Sequence, residues 1–226
     1  MFMSMIKVSN LTFNYDNHPL NIFEDVSFII DTDWKLGFVG RNGKGKTTFL
    51  NLLLGKYEYS GSIIADVTFD YFPFEVPNKR LNSYEIAEKY YNNYEQWKFE
   101  REVSLLDVNE DILNRPFDTL SKGEQTKVLL AILFLKENHF LLIDEPTNHL
   151  DIEARKAVSN YLNKKKGFIL VSHDKIFLDN CVDHILAINR NDIKIEKGKF
   201  SSWYENKTRQ DNYEINENKK LKKRYI

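Results

Sequence analysis

Gly40-Arg41-Asn42-Gly43-Lys44-Gly45-Lys46-Thr47-Thr48 is a stretch whose residue types and spacing suit one chemistry. Gly40, Gly45, Lys46 and Thr47 occupy the fixed places of the pattern G-x-x-x-x-G-K-[ST]. Glycines there let backbone N–H groups turn inward around phosphate oxygens, and a following helix adds the positive end of its dipole. The Lys46 ammonium reaches the β- and γ-oxygens of a nucleoside triphosphate, and the Thr47 hydroxyl can ligate Mg2+. Asn42, Gly43, Lys44 and Thr48 complete the expected nucleotide-binding loop.

Two further stretches carry chemistry. Asp144 and Glu145 end the apolar run Phe140-Leu141-Leu142-Ile143. Beside a bound nucleoside triphosphate, Asp144 suits the Mg2+ water shell and Glu145 suits polarisation of an attacking water. The same two carboxylates could instead cap the next helix; the glycine loop upstream favours the first reading. Leu120-Ser121-Lys122-Gly123-Glu124-Gln125 places a capping serine three residues before a glutamate, a capping-box pattern. A hydroxyl and free N–H groups at a helix start form an anion site, although a good helix cap needs no ligand.

These residues need elements to hold them. Ile6, Val8, Leu11, Phe13 and Tyr15 alternate with polar residues, which predicts a strand interrupted at Ser9-Asn10. Asp16-Asn17-His18-Pro19 reads as a turn. Strands are expected over Val26–Ile30 and Trp34–Val39, the latter feeding the glycine loop, and then a helix over Lys46–Leu54 stopped by Gly55. Ile63–Phe72 reads as further strand. From Asn82 to about Val108 the spacing turns helical, with Asn82 and Glu85 as a capping box. After Phe117, strands at Phe140–Ile143 and Phe168–Val171 alternate with helices near Ala154–Asn163 and Lys175–Asn180, which points to a parallel sheet. From Ser201 the chain is helical, polar and ends in the basic run KKLKKRYI.

Composition narrows the class. The chain has 226 residues, 42% hydrophobic, and a net charge of -1, so it can bury a real core and its overall field selects no partner. Its one cysteine, Cys181, allows no intrachain disulfide, suits a reducing cytoplasm and reads as inert core filler. The start shows no secretory signal, and no apolar run approaches the length of a membrane span, so no stable membrane insertion is expected.

Taken in order, the chemical stretches resemble the ATP-binding domains of ABC ATPases. Leu120–Gln125 resembles their signature motif, usually LSGGQ or LSGGE. Pro146-Thr147-Asn148-His149-Leu150-Asp151 resembles their D-loop, and Ser172-His173-Asp174 after the strand FILV matches the switch histidine. Tyr15 matches the aromatic that stacks on adenine, with an ordinary strand aromatic as the less favoured reading. The resemblance covers residues 6 to about 200. It implies an α/β P-loop NTPase fold of ABC ATPase type: a mostly parallel core sheet, an antiparallel β subdomain and a small helical subdomain at about 80–135. The domain would span 1–200, and 201–226 would begin a basic helical linker. It also implies Glu145 and His173 as catalytic, Thr47 and Asp144 toward Mg2+, and Tyr15, the glycine loop, Ser121, Gly123, Glu124 and Asp151 toward ATP. In such enzymes the signature faces the γ-phosphate held by another domain. A second ABC ATPase domain, on the same polypeptide or in a homodimer, is therefore implied.

The wording DEPTNHLD is typical of the ABC-F group, which acts on the ribosome. WKLGFVGRNGKGKTTFL, RPFDTLSKGEQTKVLLA and GFILVSHDKIFLDNCVDHILAI are similar to the first domain of the Lsa/Vga-type antibiotic-resistance members. That resemblance implies ribosome protection and contact with ribosomal RNA, to which the lysines and arginines of the tail are suited; a solvated charged helix is the plainer reading of the tail. The alternative function is the ATP-hydrolysing motor subunit of an ABC membrane transporter. Two positions depart from the family: Phe74 follows Tyr71-Phe72-Pro73 where a glutamine is usual, and Lys122 stands where the signature has glycine.

Overall fold

A computed structural model describes residues 4–16, 20–40, 43, 45–189 and 192–224, the side chains of 189 and 214–224 excepted. The turn expected at Asp16–Pro19 lies mostly outside the described residues, as do Arg41, Asn42 and Lys44.

Among the described residues, nine strands form two sheets. The smaller is antiparallel, in the order β2 (Phe23–Asp31), β1 (Met5–Phe13), β4 (Ser60–Ala65). The interruption expected at Ser9-Asn10 is a register shift between Val8 and Leu11, with Asn10 at φ 50. The larger sheet runs β5 (Thr68–Phe72), β6 (His139–Asp144), β7 (Phe168–Val171), β3 (Lys35–Val39), β8 (His184–Asn189), β9 (Asp192–Lys197). All its pairings are parallel except that of β8 with β9.

Residues 63–72, expected as one stretch of strand, divide between the two sheets: β4 pairs with β1, and β5 pairs with β6. The β8–β9 hairpin was not anticipated from periodicity.

The central parallel strands β6 and β7 are buried on both faces, which explains their apolar runs at 140–143 and 168–171. Side chains of the larger sheet sort by the two-residue strand period. Phe140, Leu142, Ile169, Val171, Leu36, Phe38, Leu186 and Ile188 enter the core shared with the antiparallel sheet and helix α1 (Lys46–Leu53). Leu141, Ile143, Phe168, Leu170, Val39, Ile185 and Ala187 enter the opposite core. That second core also holds α2 (Ser83–Tyr90), α3 (Gln96–Leu105), α4 (Lys122–Leu133), α5 (Ile152–Asn163) and α6 (Lys175–Cys181). Cys181 is buried there, and burial pushes its thiol up to about 11, which leaves it unreactive.

α7 (Phe200–Arg224) is anchored at its start. Phe200 is buried, Trp203 packs on the same core, Lys175 sits 4.2 Å from the Tyr204 ring centroid, and Asp179 accepts the Ser201 N–H at 2.7 Å.

Candidate nucleotide site

The C-terminal ends of β3, β6 and β7 lie side by side, because the three strands are parallel and registered, with Gly37 opposite Leu170 and Asp144 opposite Val171. The glycine loop leaves β3, Asp144 and Glu145 leave β6, and His173 leaves β7. An open parallel sheet gathers a site from distant segments at such an edge.

α1 starts without a side-chain cap. Its N-cap is Gly45 at φ 100, and no acidic residue lies in its first turn. A Cβ on Gly45 would stand 2.6 Å from Ile22 Cγ2, so the position is glycine for both conformation and space. Gly43, at φ 73, has open space around it. The helix therefore offers its first N–H groups and its dipole to an anion. Lys46 is half-buried and donates to the Gly40 carbonyl at 2.9 Å. Burial lowers its pKa, while the charges of Glu145 and Asp144 work against that shift. Thr47 is exposed. Thr48 is buried and shares a 2.8 Å hydrogen bond with the Tyr15 hydroxyl. The Tyr15 ring meets Phe13 and Tyr57 edge-on, at 5.1 and 5.6 Å.

Glu145 adopts φ 49, a left-handed conformation uncommon for a non-glycine residue and often found where side-chain direction matters. The His173 N–H donates to its Oε2 at 3.4 Å, and His173 Nε2 lies 3.3 Å from its Oε1. Oε1 is buried with no hydrogen-bond donor of good geometry among the described residues. Burial raises the Glu145 pKa; His173 opposes this and Asp144 adds to it. A half-buried carboxylate with a raised pKa and a free oxygen is suited to accepting a proton from water. Tyr71 donates to Asp144 Oδ2 at 2.8 Å, and burial together with that bond pushes the phenol well above its ordinary value.

The signature stretch is built differently. Ser121 Oγ accepts the Glu124 N–H at 3.2 Å, and Glu124 Oε2 accepts the Ser121 N–H at 2.7 Å, so the expected capping box is closed. Lys122 donates to Gln125 Oε1 at 3.2 Å. A Cβ on Gly123 would lie 3.6 Å from Leu150 Cδ2, which sets the signature helix against the stretch leading to Asp151. Asp151 itself caps α5, accepting the Ala154 N–H at 2.7 Å.

The sequence-predicted residues thus fall into two groups. The glycine loop, Asp144, Glu145 and His173 converge at the sheet edge; Ser121, Gly123, Glu124 and Asp151 stand at the starts of α4 and α5. The expected Asn42 and Lys44 contacts lie outside the described residues. Phe74 is turned to packing: its ring stacks on Tyr90 at 3.9 Å. Sequence reasoning did not find the bond from Tyr71 to Asp144, the pairing of Thr147 with Ser172 at 3.3 Å, or the ion pair of Arg155 with Asp174. Only the YFP stretch before Phe74 hinted at the first.

The sequence profile of the ABC transporter family matches residues 23–148, more than half of the chain. The chain belongs to the ABC transporter family. ABC ATP-binding domains hydrolyse ATP, bind it with Mg2+, and function as dimers or with a second ATPase domain. Among curated relatives, the chain is 32% identical over 196 residues to the ribosome protection protein VmlR of Bacillus subtilis, covering 84% of this chain and 35% of that protein. It is 30% identical over 206 residues to ABC transporter F family member 3 of Arabidopsis thaliana, covering 88% of this chain and 29% of that protein. The chain thus spans about a third of the length of these relatives. The fold also matches a bacterial Atm1-family ABC exporter solved with ATP bound, at a TM-score of 0.74 and 18% identity, over 91% of this chain and 40% of that one. This ABC domain has, among its described residues, no helix long and apolar enough to cross a membrane.

The residues fit the ions the family uses. The uncapped α1 start and the half-buried Lys46 fit a triphosphate. Among the described residues no group of three or more His, Cys, Asp or Glu could hold a metal alone. Mg2+ needs no such cage, because it is commonly held by one or two carboxylates together with substrate phosphates and waters.

Proposed function

We propose that this chain is an ATP-hydrolysing domain of a cytoplasmic ABC-F protein that acts on the ribosome and protects it from antibiotics. The observation that carries the reading is the 32% identity to a ribosome protection protein over 84% of the chain. The DEPTNHLD wording and the similarity to an F-family member add support.

In this reading the α1 amides and Lys46 hold the triphosphate, with Gly40, Gly43 and Gly45 giving the backbone its approach and Tyr15 beside the base. Thr47 and Asp144 would hold Mg2+, which would supply neutralisation of phosphate charge. Glu145 takes a proton from the attacking water while the water oxygen bonds to the γ-phosphorus. The bond to the bridging oxygen breaks and ADP leaves. His173 holds Glu145 in place and reaches toward the γ-phosphate. Ser121, Gly123, Glu124 and Asp151 serve the triphosphate of a second ABC domain. ATP binding closes the pair into a ribosome-binding form, hydrolysis reopens it, and the basic end of α7 faces ribosomal RNA.

The test is co-sedimentation of the native gene product with 70S ribosomes. Glu145→Gln, with the equivalent change in any second domain, should pellet with ribosomes in the presence of ATP, and Lys46→Ala should not. A full-length Glu145→Gln protein that binds ATP and stays in the supernatant would favour a transporter motor instead.

A further inference from the structure

The end of β5 carries a hydroxyl that the reaction described above does not use. β5 and β6 are parallel neighbours, with Tyr71 opposite Leu142 and Phe72 opposite Ile143. That register places the Tyr71 side chain beside the last residue of β6, and its Oη donates to Asp144 Oδ2 at 2.8 Å. The ring is held from several directions. It packs against the core shared with the antiparallel sheet, and the Lys56 ammonium lies 5.5 Å from its centroid. Three residues later Phe74 is stacked on Tyr90, and the Lys136 ammonium sits 4.3 Å from that tyrosine's centroid. The segment leaving β5 is therefore fixed on both sides of Pro73.

We infer that Tyr71 is a positioning residue for the metal: by occupying Oδ2 it turns Oδ1 of Asp144 toward the Mg2+ water shell. A carboxylate with two equivalent oxygens can rotate about its last bond. One with an oxygen tied to a fixed phenol presents the other in a single direction, and such supporting hydrogen bonds commonly tune metal affinity. The inference rests on the reading that Asp144 serves Mg2+. It gives β5 a role in the site although its Phe74, at the usual glutamine position, packs against Tyr90.

The test measures ATP affinity of the whole chain by calorimetry, once with Mg2+ and once with EDTA, for the wild type, Tyr71→Phe, Asp144→Asn and the double variant. Phenylalanine keeps the ring and its packing, and a thermal melt checks that the fold is retained. Tyr71→Phe should weaken binding of Mg2+-ATP by about tenfold, the low end of the range for such partners, and leave metal-free ATP binding unchanged. The double variant should bind Mg2+-ATP as Asp144→Asn does, because the phenol acts only through that carboxylate. A Tyr71→Phe loss that is equal with and without metal, or that adds to the Asp144→Asn loss, would overturn the inference in favour of a purely architectural tyrosine. A metal-selective loss in Asp144→Asn with none in Tyr71→Phe would overturn the inference alone. No metal-selective loss in Asp144→Asn would overturn both it and the reading of Asp144.

Discussion

Glu102 and Glu145 are the same side chain in two buried settings, and their settings push them in opposite directions. Glu102, on α3, is 2% exposed. Its carboxylate accepts hydrogen bonds from Tyr161 Oη at 2.6 Å, from Lys165 Nζ, and from Arg101 at 3.2 Å. Burial alone would raise its pKa, but the bonds from Lys165 and Tyr161 outweigh burial and hold it below its ordinary 4.5. Glu145 has His173 Nε2 3.3 Å from its Oε1, and there burial wins. The satisfied glutamate ties α3 to α5 and to Lys165 just beyond it. The under-satisfied one stands at the sheet edge, where its Oε1 has no hydrogen-bond donor of good geometry among the described residues. The same fold that satisfies Glu102 three times over leaves Glu145 short, a feature that functional carboxylates commonly share.

Exchanging each glutamate for glutamine should separate these roles. The largest effect expected is on turnover. With the partner domain present, Glu145→Gln should slow ATP hydrolysis by roughly 10²–10⁴, the usual contribution of a general base, while its unfolding midpoint in urea stays close to the wild type. Glu102→Gln should do the reverse. Its loss is about 2 kcal/mol of stability by urea unfolding, less than for a fully buried pair because Lys165 keeps some water. ATP affinity of the folded fraction should hold. If Glu102→Gln lowered turnover as far as Glu145→Gln, the contrast would collapse.

The smallest effect is in the pH dependence of stability, and the two signs differ. Glu102 has a folded pKa below its unfolded value near 4.5, so its contribution is present above that value and is lost as pH falls through the folded pKa. Glu145 has a folded pKa above 4.5, so its contribution is present below that value and is lost as pH rises through the folded pKa. Melting curves between about pH 3 and 7 should show Glu102→Gln flattening the acid limb and Glu145→Gln flattening the decline just above it.

Local signals carried much of this architecture. Ser121 with Glu124 and Asn82 with Glu85 are read from spacing alone, because a capping box closes within four residues, and both boxes are formed. The apolar runs at 140–143 and 168–171 announced parallel strands because both faces are covered. Asp66 and Val67 gave no glycine or proline to show that the chain changes sheets between β4 and β5. The Glu102 contacts reach 59 and 63 residues along the chain, and the Tyr71–Asp144 bond reaches 73. No periodicity encodes such pairings; they exist only once the sheet order is set. Phe74 was visible as a departure from the family, but its stacking partner Tyr90 was not, since that contact depends on how the helical layer docks.

α7 adds a mechanical consequence. Its described side chains are anchored through the first turn, at Phe200, Ser201, Trp203 and Tyr204, while Tyr213 is 66% exposed. A helix of 25 residues is roughly 37 Å long at 1.5 Å per residue. Asp179 and Lys175, which grip its base, belong to α6, whose N-cap Asp174 directly follows His173. A tilt of about 10° at that fulcrum would sweep the far end through about 6 Å for a rod of that length. The helix is a lever whose base is held by α6, which starts two residues after His173, so a small rotation of α6 is geared up into a much larger displacement at the far end.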